Sequence, residues 1–345
     1  MDESHRSDAL QRLLGKHGFD RAAQVPLPGD ASFRRYIRLT GGPMPAMVMD
    51  APSQAGEDCT PFVAIAEHLV GLDLSAPRIL GADLENGFLI LEDLGDDLFA
   101  RVLIDDVTSL SDAELYEAAI DVLCHLRHRP PLQLGGYHLP AYDDAVLHRE
   151  AGLLSEWYLP LVHGARLPSD IDRIWHGLWD KVFETVRPAQ EILVLRDYHA
   201  ENLFWLPQRS DIRRVGLIDF QDGLLGDPAY DLVSLLEDAR RDVSPALAEK
   251  MQRRYLDQTG LPPETFTRVY DVLAAQRNAK IVGIFARLSE RDGKRRYLDL
   301  IPRVMALLLG DVRRQSVLAP IREFLDRYIP ADAMAIPPKS LRHAS

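Results

Sequence analysis

Strand-like runs crowd the first quarter of the chain, and helical spacing dominates the rest. Residues 8–17 set Ala9, Leu10, Leu13 and Leu14 at helical intervals, which predicts a short amphipathic helix. After Pro26, Pro28 and Gly29, the later residues of 32–39 alternate like a strand, a Gly-Gly-Pro turn follows, and 46–49 reads as a second strand. A β-hairpin is expected there. A helix over 60–70 with Pro61 at its start, then strands at 77–81 and 88–91, complete this part. Beyond Leu94 and Gly95 the pattern is helical, broken only by the apolar runs 192–195, 203–206 and 215–218. Residues 244–328 are almost wholly helical in pattern, and the Pro-rich end near Ile336, Pro337 and Pro338 is expected to fray.

The order strand, strand, helix, strand, strand resembles the N-lobe of a protein kinase. The expectation is therefore an α+β, bilobal, protein-kinase-like fold: a small antiparallel-sheet N-lobe over 1–92, a hinge over 93–97, and a larger, mainly helical C-lobe over 98–345. A chain of 345 residues with 46% hydrophobic content can bury cores of that size. Its formal net charge of −12 argues against nucleic acid as a partner. Two cysteines, Cys59 and Cys124, offer neither a disulfide framework nor zinc-ligand spacing. The N-terminus carries charges where a signal peptide has an apolar core, and no run of about 18 apolar residues follows. A cytoplasmic monomer with no membrane attachment is expected.

The candidate chemistry sits where the apolar runs converge. In 192–204 an apolar strand leads into the polar loop Asp197-Tyr198-His199-Ala200-Glu201-Asn202 and then into another apolar strand. Phosphoryl transfer needs a carboxylate to orient and deprotonate the attacking hydroxyl, and an amide oxygen a few residues on to hold magnesium against the phosphates. Asp197 and Asn202 have those chemistries at that spacing. A second carboxylate must bind the metal directly, because magnesium prefers hard oxygen ligands. Asp219, at the end of the run Val215-Gly216-Leu217-Ile218, is the candidate. As turn formers, Asp and Asn also fit a purely structural reading, which leaves their joint spacing between strands unexplained.

The loop Asp197-Tyr198-His199-Ala200-Glu201-Asn202 resembles the D-x-H-x-x-N core of the aminoglycoside phosphotransferase and choline kinase family. Ile218-Asp219-Phe220-Gln221-Asp222 is similar to that family's metal-binding segment, and Gly226-Asp227-Pro228-Ala229-Tyr230-Asp231-Leu232 to its G-D-P-x-x-D-L motif. The resemblance implies ATP and Mg2+, with Asp197 as catalytic base, Asn202 and Asp219 as metal ligands, and His199, Asp227 and Asp231 in structural or substrate-side roles, with Asp222 beside them. It further implies that Ser32, Phe33, Arg34 and Arg35 lie in the loop and strand over the phosphates, and that Glu92 and Leu94 offer main-chain atoms to the nucleobase.

One departure stands out: the strand Ala46-Met47-Val48-Met49-Asp50 has no lysine where the family carries a phosphate-binding one, so Arg34 or Arg35 is the candidate replacement. The segments D-A-S-F-R-R-Y, V-M-D-A-P, L-R-D-Y-H-A-E-N-L and I-D-F-Q-D resemble the branch of anomeric N-acetylmuramate/N-acetylglucosamine kinases of bacterial cell-wall recycling, which implies an amino-sugar substrate phosphorylated at its C1 hydroxyl. Arg277, Lys280, Arg287 and Lys294 lie in one region that could meet a lactyl carboxylate, although most of them read as solvated helix faces. The alternatives are a kinase of another hydroxyl compound (aminoglycoside, choline or homoserine) or a nucleotide-binding pseudokinase regulator.

Overall fold

The computed structural model describes residues 3–28, 34–52, 56–105, 110–129 and 134–330, so Ser32, Phe33 and the Pro-rich end at 336–338 lie outside the described residues. In chain order the elements begin with α1 (Glu3–Lys16), β1 (Ala23–Pro26), β2 (Arg35–Thr40), β3 (Ala46–Asp50), α2 (Thr60–Gly71), β4 (Ile79–Asp83), β5 (Phe88–Glu92), α3 (Phe99–Asp105) and α4 (Asp112–Arg127). They continue with α5 (Asp144–Leu153), α6 (Leu159–His163), α7 (Ser169–Thr185), β6 (Ile192–Val194), β7 (Leu203–Trp205), β8 (Val215–Leu217) and β9 (Leu224–Gly226). The chain ends with α8 (Ala229–Leu236), α9 (Pro245–Thr259), α10 (Pro263–Glu290), α11 (Ile301–Asp311) and α12 (Ala319–Tyr328). These form two compact units, each assembled from separate stretches. One gathers Met1–Val122, Pro131–Leu139 and Leu195–Gly223, the other Leu123–Pro130, Pro140–Val194 and Leu224–Ser345.

The first unit is built on an antiparallel sheet of order β1-β2-β3-β5-β4. The predicted hairpin is β2 and β3, paired from Arg35 with Asp50 to Leu39 with Ala46. Strand alternation sends Ala46, Val48, Phe88 and Ile90 into one core cluster with Leu39 and with Ala9, Leu13 and Leu14 of α1. Met49 and Leu89 point the other way and are also fully buried, so β3 and β5 are covered on both faces. Burial of each such side chain contributes roughly 1.5–3 kcal/mol. β1 carries no sequence signal because every one of its residues is exposed; it is an edge strand ending in Pro26, where a missing N–H costs no ladder bond.

The β7–β8 hairpin belongs to this same unit. Leu217 N–H donates to Ser75 C=O at 2.9 Å, and Trp205 N–H donates to Asp97 C=O at 2.7 Å. Gly216 makes that approach possible, since a Cβ there would stand 2.9 Å from Phe204 Cβ and 3.1 Å from Leu94 Cδ1.

In the second unit, β6 and β9 form a two-stranded antiparallel ribbon. In the same unit the 28-residue α10 packs on α5, α8 and α11. A helix surrounded on all sides must bury its polar residues as well, and Gln276, Arg277, Asn278 and Lys280 are all buried. The expectation of solvated helix faces therefore fails for Arg277 and Lys280. Arg277 Nη2 donates to Ser234 Oγ at 2.7 Å, and Lys280 Nζ lies 3.1 Å from both Glu150 Oε1 and the Tyr230 hydroxyl. A buried cation without such partners is costly, which is why these contacts exist.

Close packing of α10 against Leu153 depends on Gly283, where a Cβ would stand 2.6 Å from Leu153 Cβ and closer still to its carbonyl. Gly283→Ala should therefore destabilise the fold by about 1–3 kcal/mol, as other overpacking substitutions do. Chemical denaturation reads this directly; an unchanged midpoint would contradict the close approach.

Candidate functional site

The chain leaves β6 at Val194 and enters a loop whose backbone is pinned by its own hydrogen bonds. Asp197 N–H donates to Leu195 C=O at 2.9 Å, His199 N–H to Asp197 C=O at 3.1 Å, and Asn202 N–H to His199 C=O at 2.8 Å. Arg196 is held at φ +69°, a left-handed conformation costing a non-glycine residue about 1–2 kcal/mol. The buried Tyr198 offsets that cost, its hydroxyl donating to Ala119 C=O at 2.8 Å. His199 is buried, with Nε2 3.5 Å from the Asn202 amide nitrogen, and so sits inside the loop's network.

Asp219 comes to this loop from β8. Its backbone is also left-handed, φ +60°, which Asp tolerates better than most residues. Asn202 Nδ2 donates to the Asp197 carbonyl at 3.0 Å and approaches Asp219 Oδ2 at 3.3 Å, while Gln221 Nε2 donates to Asp219 Oδ1 at 2.8 Å. Phe220 is fully buried and stacks on Phe62 of α2 with ring centroids 5.0 Å apart, so packing holds the residue after Asp219 in place. The structure thus brings Asp197, Asn202 and Asp219 together, and Asp222 stands exposed at the end of the segment, its carbonyl accepting from Arg196 Nη1 at 3.2 Å.

The electrostatics favour a bound cation. Burial pushes the Asp219 carboxyl above the usual range; the Gln221 hydrogen bond opposes this, the Asp197 and Asp222 charges add to it, and Arg34 opposes it weakly. The Tyr36 phenol nearby is pushed up to about 12, chiefly by burial, with Asp219 contributing against the opposing pull of Arg34. Among the described residues no three His, Cys, Asp or Glu side chains are grouped to hold a metal alone. Mg2+ takes one or two carboxylates and completes its shell from phosphates and water. The donor set of Asp219 and Asn202 fits such an ion.

Of the two candidate arginines, Arg34 lies half-buried and its Nε donates to Glu57 Oε2 at 2.8 Å, both side chains being about 85% shielded (13% and 16% exposed). Arg35 is exposed. Sequence reasoning missed Glu57, because nothing in the run Gly56-Glu57-Asp58 distinguishes its carboxylate from its neighbour's. In the expected hinge, Glu92 N–H is already taken by Arg78 C=O at 2.9 Å, whereas no hydrogen bond among the described residues uses the Leu94 N–H. Arg38 of β2 ties this segment down, with Nε 2.7 Å from Asp93 Oδ2 and Nη2 2.9 Å from Asp96 Oδ1.

Within the second unit, Asp227 is buried and accepts from two backbone N–H groups, Ala189 at 2.7 Å and Ala229 at 2.9 Å, which partly offsets the upward push of burial on its carboxyl. It fastens the start of α8. Asp231 is buried on α8 itself. A network that the sequence did not reveal surrounds Glu150, which accepts from the Tyr142 hydroxyl and pairs with Lys280.

The model of the phosphotransferase enzyme family matches residues 23–277. The chain belongs to that family. Similar phosphotransferases include one from Caulobacter vibrioides named N-acetylmuramate/N-acetylglucosamine kinase, 36% identical over 95% of this chain and 98% of that one. A protein of the same name from Pseudomonas aeruginosa is 39% identical over 88% of each chain. Among solved structures, the ADP-bound aminoglycoside phosphotransferase APH(2'')-Ib superposes with a TM-score of 0.58 at 15% identity, covering 89% of this chain and 97% of that one, which shows the shared fold.

Proposed function

We propose that this phosphotransferase moves the γ-phosphate of ATP to the anomeric C1 hydroxyl of N-acetylmuramate and N-acetylglucosamine, giving the α-1-phosphate in peptidoglycan recycling. The observation that carries the reading is the match to relatives named for that activity over 88% to 98% of both chains.

In this reading Asp197 orients the C1 hydroxyl and accepts its proton as the bond from O1 to the γ-phosphorus forms. The bond from that phosphorus to the β–γ bridging oxygen breaks, and ADP leaves. Asn202 and Asp219 would hold Mg2+, which when bound neutralises charge on the β- and γ-phosphates. Arg34 supplies the cation that a strand lysine provides elsewhere in the family, and its pairing with Glu57 fixes the guanidinium before the nucleotide arrives. Leu94 offers a main-chain donor to the nucleobase edge, with Glu92 positioning the strand end rather than donating. His199 and Asp227 shape the loop and the start of α8. Asp222 is available to the sugar. Because Arg277 and Lys280 are committed to internal partners, the lactyl carboxylate must be met elsewhere.

Assays of N-acetylmuramate, N-acetylglucosamine, choline and kanamycin with ATP and Mg2+, with the product anomer read by NMR, test the assignment: α-1-phosphates from the amino sugars are expected, and no turnover of either overturns it. Asp197→Ala should lower turnover about 10²–10⁴-fold, the usual worth of a positioned base, while nucleotide affinity by calorimetry stays near wild type. Arg34→Ala should cost about 10²-fold in kcat/KM for ATP, as loss of a transition-state donor does, and Arg35→Ala should cost little. Equal losses in the two arginine variants would contradict the assignment of Arg34.

A further inference from the structure

A cavity of about 460 Å3 opens on the first unit, lined in part by Asp73, Arg78, Glu92, Arg209 and Arg213. It includes neither the base, nor the metal ligands, nor Arg34. Three guanidinium groups against two carboxylates leave its lining with one net positive charge, in a chain whose formal net charge is −12. The arginines have more hydrogen-bonding capacity than their partners absorb. Arg78 Nε and Arg209 Nη2 both donate to Glu92, at 3.1 and 2.7 Å, so two five-donor groups share one carboxylate. Arg213 Nη2 donates to Ser210 Oγ at 2.9 Å, and among the described residues its other side-chain partner is Asp73 at 3.7 Å, whose side chain is 75% exposed. A pair that long and that exposed contributes little.

We propose that this cavity is a second ligand site, which takes a phosphorylated metabolite of sugar-phosphate size with its phosphate on Arg213, Arg78 and Arg209. Planar guanidinium forks match phosphate oxygens in pairs, and a cluster of them selects phosphate over singly charged anions. The cavity is several times larger than a phosphate group needs, and the Gln208 amide and Asp73 carboxylate give a hydroxyl-bearing body partners.

Two residues of the cavity wall are joined to the segments that carry the candidate site. Glu92 ends β5 two residues before Leu94, and the Ser75 carbonyl on the cavity wall accepts from Leu217, two residues before Asp219. A phosphate that draws Arg78 and Arg209 away from Glu92 loosens the end of β5. Occupancy is therefore coupled to nucleotide affinity; that coupling rests on the proposed role of Leu94, whereas binding in the cavity does not.

The test is calorimetric titration of the full-length protein with glucose 6-phosphate and with inorganic phosphate, at low salt and with the active site saturated by a non-hydrolysable ATP analogue and Mg2+. Glucose 6-phosphate should bind more tightly than inorganic phosphate, with equal affinity in the Asp197→Ala variant. Arg213→Glu and Arg213→Gln should each weaken it about tenfold or more, the scale of a lost charge-assisted pair. These substitutions alter a half-exposed side chain, and unchanged melting temperatures will confirm the fold. No binding of glucose 6-phosphate, or binding that both Arg213 variants leave unaltered, overturns the site. Equal affinity for inorganic phosphate overturns the claim that a sugar-sized body is recognised. In a separate titration, glucose 6-phosphate should shift the affinity for the ATP analogue by a factor of about 2–10, within the usual range of coupling between sites; no shift overturns the coupling.

Discussion

The Asn202 carboxamide joins the two halves of the candidate active site, one hydrogen bond reaching the Asp197 carbonyl and a longer one the Asp219 carboxylate. Almost everything else around it serves to keep that junction in place. Burial first and the neighbouring Asp197 and Asp222 charges after it push the Asp219 carboxyl up, and Arg196 and Asp219 are both held in left-handed backbone conformations. Strain and like charge persist only where surrounding structure over-determines them. Here the Tyr198 hydroxyl, the Phe220–Phe62 stack and the Gln221 amide do so. A site arranged in this way is short of positive charge, which the Mg2+ of the proposed mechanism would supply.

The position of the arginine follows from the same shortage. A lysine on β3 would need a partner to stay oriented, and β3 instead carries Met47 and Met49, with Met49 fully buried. In the proposed mechanism the cation comes instead from just before the neighbouring strand β2, where Arg34 meets Glu57 on the segment leading into α2. Both Arg34 and Glu57 are shielded, so the pair is worth more than a surface ion pair of equal length. Arginine also suits the task because its charge survives burial, whereas a shielded lysine loses its proton more readily.

Legibility in the sequence followed the strength of local signals. The hairpin β2–β3, helix α2 and strands β5 to β8 were legible because apolar periodicity and turn residues agree over each of them. β1 was not, since its residues are all exposed, and β9 was not, because its apolar run is only Leu224-Leu225, set between Gly223 and the turn-like Gly226-Asp227-Pro228. Asp197, Asn202 and Asp219 were legible because phosphoryl transfer demands particular side chains at short separations on loops between strands. Glu57, Glu150 and the burial of Arg277 and Lys280 depend on contacts between residues far apart in the chain. A lysine on a helix looks the same in sequence whether it faces water or, as Lys280 does, a buried glutamate and tyrosine.

Glu92 shows how one residue can belong to two arguments. Sequence resemblance assigned it to the nucleobase, yet its N–H is consumed by the Arg78 carbonyl and its carboxylate by the Arg78 and Arg209 side chains. In the proposed mechanism the nucleobase contact therefore falls to Leu94, two residues beyond the end of β5 at Glu92. The firmness of that end therefore depends on two arginines that line a cavity reachable by other anions. The coupling proposed above follows from this arrangement: an anion that competes for the two arginines would also act on the end of β5.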